Sequence, residues 1–421
     1  MQKAQIFTHL IHDYTEPIRD PLWQNIYLSP GLKRLISLDP FQKLGRIKQL
    51  GPAFHIYPGA VHTRLNHSLG VFHLSRKLLI ALLNQSGPTR LTLTGVKAFL
   101  TAALLHDLGH FPFAHSLKEL PLKEHEEMTA EKILSEPLFS AIRDWVGTEP
   151  HMVAEIVDEK LPAAHGDEVL QYRRLLSGVL DPDKLDYLNR DAYFCGVPYG
   201  IQDTDYILHK VHLHPDSGVA IEADAVTAVE NILFSKYLMY RTVYWHRVVR
   251  IATAMIKQAV YTGMAEGKIL PEQLYWLDDE EFYHTFFSTD FPPFRLIDQV
   301  MRRQFYKTVY ETAFDSSSPL LHTLDSLDTR MQVQEHIASR ISETLNSPIA
   351  PWEVVIDIPE PISFEVELFI KDGDDYTPFV SSGSVFSRPV VNGFTASLRK
   401  MRLFLPARYE GRIKNPQELL Q

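Results

Sequence analysis

Residues 96–105, VKAFLTAALL, form an almost wholly apolar stretch that ends directly on His106 and Asp107. Such a stretch reads as a helix buried nearly all round, which commits the chain to a packed helical core. It also delivers an imidazole and a carboxylate to the end of a buried rod, where both are costly to leave without a partner. Two readings meet that cost: a capped helix end facing solvent, or a polar centre in which further groups converge on the pair.

Two more helices bring such groups. Over residues 62–85 apolar residues recur at three- and four-residue steps, with Leu65, Leu69, Phe72, Leu78 and Leu82 marking a buried stripe, and this helix carries His67. Asp181 followed by Pro182 reads as an N-cap with proline in the first helical position, opening a helix that ends by Gly196 and holds Asp183 in its first turn. The apolar helix itself starts at Thr92 or Thr94 and stops at Gly109, a residue suited to the left-handed C-terminal position.

Elsewhere, Pro17, Pro21, Pro30 and Pro40 punctuate short helices and turns over residues 1–45. Residues 209–223 alternate like two short strands around a turn at Pro215, Asp216, Ser217 and Gly218, and residues 226–263 read as one or two further helices. Beyond about residue 347 the composition shifts to β-branched and aromatic residues with prolines. The expected fold is mostly α: a helical core with a helical extension over residues 1–345, and a small α+β lobe over residues 346–421.

Composition narrows the chemistry. Cys195 is the only cysteine, so an intrachain disulfide and a thiolate metal cage are both excluded. Any metal must use histidine and carboxylate. A net charge of −10 disfavours strong binding to a nucleic-acid backbone. Apolar stretches fall well short of the roughly 20 residues a membrane span needs, and the N-terminus has no signal-peptide pattern, so the expected compartment is the cytoplasm.

The titratable residues cluster at His67, His106, Asp107, His110, His115, His125 and Asp183, the nitrogen and oxygen donors of zinc, iron, manganese or nickel. The stretches FQKLGRIKQLGPAFHIYPGAVHTRLNHSLGV, ALLHDLGHFPFAHS, HEEMT, DPDKLDYLNRD and YRTVYWHRV resemble, in order, the signature segments of HD-domain metal-dependent phosphohydrolases. They look closest to the branch containing deoxynucleoside triphosphate triphosphohydrolases, and the likeness runs over roughly residues 17–255. That resemblance implies an HD-domain helical core and one divalent ion, Mn, Fe, Ni, Zn or Mg, on His67, His106, Asp107 and Asp183. It implies catalytic roles for His110 and His125, with His115 directed at the phosphate. It places Gln49, Leu50 and Asp191 at the sugar, Arg64 and Lys184 at the phosphates, and Tyr187 and Tyr244 against sugar or base. It implies a nucleotide substrate and a homo-oligomer, a dimer or higher.

The residues agree in one respect independently: Asp183, Tyr187 and Asp191 fall at i, i+4 and i+8 on one helical face. Two positions depart from the family pattern. Phe111 stands where a glycine is usual, and Lys118 where relatives place a carboxylate that partners a catalytic histidine. Glu119 is the obvious substitute, though one helical position is about 100° of rotation. His209, His212 and His214 read as surface residues of a strand, His55, His62 and His73 as partners for ligating imidazoles, and Cys195 as a small buried residue. The expected reaction is attack by ion-activated water on the α-phosphorus, giving a nucleoside and triphosphate. The alternatives are a phosphodiesterase or nuclease acting on oligonucleotides and a nucleotide sensor with weak catalysis.

Overall fold

The computed structural model describes residues 2–85, 91–214, 218–364 and 366–420. The chain is mostly helical, with eighteen α-helices and nine short strands among the described residues. None of these helices is long and apolar enough to cross a membrane. Seven helices matter for the site: α1 (Arg64–Asn84), α2 (Leu93–Leu105), α3 (His125–Ile133), α4 (Pro182–Cys195), α5 (Val226–Met239), α6 (Arg247–Ala265) and α7 (Leu327–Leu345).

The helix starts follow their sequence signals. Thr92 caps α2 by accepting from the Gly95 amide, and Asp181 caps α4 by accepting from the Lys184 amide, with Pro182 next. Gly196, at φ 66°, closes α4 in the left-handed region. Gly109 does not do the same for α2, which ends at Leu105 with His106 as its C-cap. Gly109 is needed for a different reason: a Cβ there would lie 2.1 Å from the His125 carbonyl oxygen. The absent side chain lets α3 pack onto the turn that carries His106 and Asp107.

In the core, α1 packs against α2 and α4. Leu69, Phe72 and Leu78 of α1, Val96, Phe99 and Leu104 of α2 and Leu185 and Leu188 of α4 are all buried there, each side chain contributing about 1.5–3 kcal/mol by leaving water. A second core forms around Met255, Ile256 and Val260 of α6, with Phe282, Phe286 and Phe294. A third joins Ile337 and Ile341 of α7 to Ile356, Leu403 and Leu405. The strand Lys400–Leu405 serves both, because Phe404 faces the second core while its neighbours face the third.

The strands depart from the sequence expectation in two places. Glu16–Asp20 and Gln24–Leu28 form an antiparallel hairpin where only short helices and turns were expected. Beyond residue 346 the strands are hydrogen-bonded into earlier chain. Lys400–Leu405 lies between Lys307–Ala313 and Val355–Asp357, and Phe369–Asp372 pairs in parallel with Gly218–Glu222. The expected strands Val211–His214 and Gly218–Glu222 do pair antiparallel; the expected turn residues 215–217 lie outside the described residues. His214 is buried and stacked on Phe369 rather than at the surface, and His209 belongs to the helix Thr204–Lys210.

Candidate metal centre and its cavity

Three helices bring four candidate ligands close together. His67 sits in the first turn of α1, His106 and Asp107 follow the end of α2, and Asp183 sits in the first turn of α4. His67 Nε2 lies 2.8 Å from Asp183 Oδ1, and His106 Nε2 lies 3.5 Å from Asp107 Oδ1 and 4.0 Å from Asp183 Oδ1. Ligand bonds of about 2.0–2.2 Å from one ion give ligand separations of this size. His67, His106 and Asp107 each place a donor atom within 4.8 Å of the others.

The groups behind the imidazoles decide their fit to a metal. His67 Nδ1 faces Asp186 Oδ2 at 2.8 Å, and His106 Nδ1 faces the Ala103 carbonyl at 2.9 Å. Both outer nitrogens meet acceptors and therefore carry the proton, so each inner Nε2 presents its lone pair when the ring is neutral. His106 Nε2 is buried and has no hydrogen-bond partner among the described residues. Burial alone would push His67 down, but hydrogen bonds to Asp183 and Asp186 override it and lift the imidazole to about 10. The same contact holds Asp183 at about 2 against its own burial. A cation between His67 and Asp183 would replace that proton, so these residues fit a divalent ion. Asp186 is pinned in turn by Arg190, whose guanidinium bridges it to Asp20, and by the Trp23 indole at 2.5 Å.

Beside the centre stands a histidine trio. His110 Nε2 lies 3.0 Å from His115 Nε2, and the His110 and His125 rings are 3.9 Å apart. His110 Nδ1 lies 3.4 Å from Asp107 Oδ1, and His125 Nδ1 lies 3.0 Å from Glu126 Oε2. Burial, reinforced by Arg64 and neighbouring histidines, holds His110 and His125 well below the ordinary imidazole value, so both are neutral near pH 7. Asp107, His110 and His125 make a second group with donor atoms within 4.8 Å.

These residues line a cavity of about 560 Å³. Gln49, Leu50, Arg64, His67, His106, Asp107, His115, His125, Asp183, Tyr187, Asp191 and Tyr244 all reach its wall; His110 stands behind it. Arg64 donates to Asp107 Oδ2 at 2.8 Å, and the buried Gln49 side-chain oxygen has no hydrogen bond among the described residues. Asp191 is held by His62 Nε2 at 2.8 Å and the Tyr244 hydroxyl at 2.7 Å, and Tyr187 meets Tyr244 edge to face. Lys184 is not in the wall. Its ammonium lies 2.7 Å from Asp181 Oδ2 and 2.9 Å from the Gly178 carbonyl.

Residues 64–190 match the HD domain family model, and residues 202–387 match the model of the HD associated region. The first match spans His67, His106, Asp107 and Asp183. The chain belongs to the HD-domain phosphohydrolase superfamily. It is 34% identical to the uncharacterized protein YwfO of Bacillus subtilis over 62% of its length, and 27% identical to the human deoxynucleoside triphosphate triphosphohydrolase SAMHD1 over 71%. In each case it spans 56% of the relative's own length. A phosphohydrolase structure from Bacteroides thetaiotaomicron superposes with a TM-score of 0.71 over 92% of this chain and 99% of that one, at 22% identity, a likeness of fold.

Within the HD domain the two departures resolve differently. Phe111 is buried in the second core near Tyr275 and does not enter the cavity. Glu119 pairs with Lys257 of α6 and Arg330 of α7 instead of a histidine, so Glu126 is the carboxylate beside His125. The partners expected for the ligating imidazoles are also reassigned. His62 serves Asp191, His73 stacks on Trp23 and His55 packs against Phe54 and Phe305. Cys195 is only half-buried, and burial pushes its thiol up to about 12. Sequence reasoning missed Asp186, and the rule that a ligating imidazole needs an outer acceptor was the signal that could have found it.

Proposed function

We propose that the chain is a metal-dependent phosphohydrolase that cleaves deoxynucleoside triphosphates at the α-phosphorus into deoxynucleoside and inorganic triphosphate. The observation that carries this reading is the convergence of His67, His106, Asp107 and Asp183 at the wall of a cavity large enough for a nucleotide and lined by several cations. When bound, the ion supplies positive charge for the phosphoryl oxygens and acidifies a water. The chain's own residues do the rest. Arg64 holds Asp107 and stands ready at the phosphates, and Tyr187 and Gln49 close around the sugar. His110 or His125, neutral in the resting cavity, takes the proton of the attacking water and passes it to the departing 5′-oxygen, a contribution of roughly 10²–10⁴ in rate. The likeness to the human deoxynucleoside triphosphate triphosphohydrolase supports the substrate class. Assembly as a homo-oligomer is part of the same proposal and rests on resemblance.

The test is metal analysis together with a product survey over the common ribo- and deoxyribonucleoside triphosphates. The reading expects one divalent ion per chain, and a nucleoside with triphosphate as products. Orthophosphate with a nucleoside diphosphate would remove the assignment of the bond while leaving the metal centre.

A further inference from the structure

Six cations line the cavity, and five of them are engaged. Lys48 lies 2.9 Å from Asp279, Arg64 2.8 Å from Asp107, and Lys236 2.7 Å from the Ser363 carbonyl. Arg250 is held by Asp357, and Lys257 by Glu119. Lys118 is the exception: among the described residues it forms no hydrogen bond or ion pair through its ammonium, and its side chain is exposed at the cavity wall.

The local backbone explains its direction. The 3-10 turn Ala114–Leu117 has Lys118 as its C-cap. Three residues per turn set side chains i and i+3 on the same side, so Lys118 stands over His115. The next residue, Glu119, points about a third of a turn away, where Lys257 and Arg330 hold it. The Lys118 charge bears on both His115 and His125. A carboxylate here would repel an anionic substrate, whereas the free ammonium attracts one.

We propose that Lys118 binds the outer phosphates of the leaving unit, the role the family resemblance implies for Lys184. Lys184 is committed to Asp181 and Gly178, so the cavity-lining lysine whose ammonium is not engaged within the described residues takes its place. The assignment rests on reading the cavity as a nucleoside triphosphate site.

The experiment is titration calorimetry of the metal-loaded full chain with inorganic tripolyphosphate, for wild type, Lys118→Ala and Lys118→Arg. Metal content and steady-state hydrolysis of a deoxynucleoside triphosphate are measured on the same samples. Losing one charge-assisted phosphate contact corresponds to about a ten- to hundredfold weakening. Lys118→Ala should lose that much tripolyphosphate affinity and raise KM similarly, with metal content unchanged, and Lys118→Arg should restore most of the affinity. Equal affinity of wild type and Lys118→Ala, or no binding by wild type, overturns the assignment. A wild-type chain that binds tripolyphosphate through Lys118 but hydrolyses no deoxynucleoside triphosphate overturns the function instead, and leaves Lys118 as an anion-binding residue.

Discussion

The imidazoles of the metal centre are only as well aimed as the groups behind them, and Asp186 is the one on which His67 depends. Asp186→Asn keeps the shape but not the charge, and loss of such an outer partner costs about 10–100-fold in metal affinity. A metal-binding isotherm checks this, and an unchanged affinity would show that His67 is oriented by something else. His67→Ala and Asp107→Ala should each abolish stoichiometric metal, because a site that loses one anchor also loses the geometry holding the rest. Asp183→Asn is the subtler variant. Removing its charge keeps the side chain's shape, so activity should fall far more than the denaturation midpoint does. At this scale the approach of His67, His106, Asp107 and Asp183 to one another was expected from the sequence because the family resemblance points to those four positions. Asp186 was not, because α4 carries several acidic residues, and only the fold says which one backs a histidine.

At the scale of elements, the approach of α3 to the His106 turn rests on the bare Cα of Gly109. Gly109→Ala would press a methyl against the His125 carbonyl, moving the first turn of α3 and the His125 ring with it. Overpacking of this kind costs typically about 1–3 kcal/mol, to be read from denaturant unfolding, and activity should fall further than that loss explains. The strand Val355–Asp357 is tied to α6 by charge. Burial works to raise the Asp357 carboxyl, and Arg250, with Lys257 and Arg402, overrides it and holds the group below its ordinary value. A carboxyl depressed in the folded state stabilises above its unfolded pKa of about 3.9, and that contribution is lost as pH falls through the folded value. Asp357→Ala should therefore cost about 3–5 kcal/mol near neutral pH, for leaving buried cations unpaired, and progressively less in acid. A pH-independent difference would contradict the pairing. Helix starts such as Thr92 and Asp181 were legible from their capping side chains. The hairpin Glu16–Asp20 with Gln24–Leu28 was not, because its short strands carry too few residues for period-two alternation to stand out among the prolines.

Across the whole molecule, the cavity is assembled from segments around residues 48–53, 106–125, 183–191, 236–257 and 358–363. No spacing rule in one sequence joins a proline-rich segment near residue 360 to a histidine near residue 67, so the far wall was invisible until the chain folded. The same holds for the strands after residue 346, whose partners lie at residues 218–222 and 307–313. Two expectations belong to this scale. Chelation should lower the unfolding temperature, since a ligand at a hundred times its Kd contributes about 2.7 kcal/mol to the folded state; an unchanged melting curve would mean that the centre holds no ion. Gln49 and Tyr187 should crowd a 2′-hydroxyl, so dATP should be hydrolysed with a higher kcat/KM than ATP, and equal efficiency would remove the sugar assignment. The most direct test of the central claim is hydrolysis of a deoxynucleoside triphosphate in isotopically labelled water, followed by mass analysis of the products. Attack at the α-phosphorus places the label in inorganic triphosphate and leaves the nucleoside 5′-oxygen unlabelled; label in orthophosphate beside a nucleoside diphosphate would contradict it.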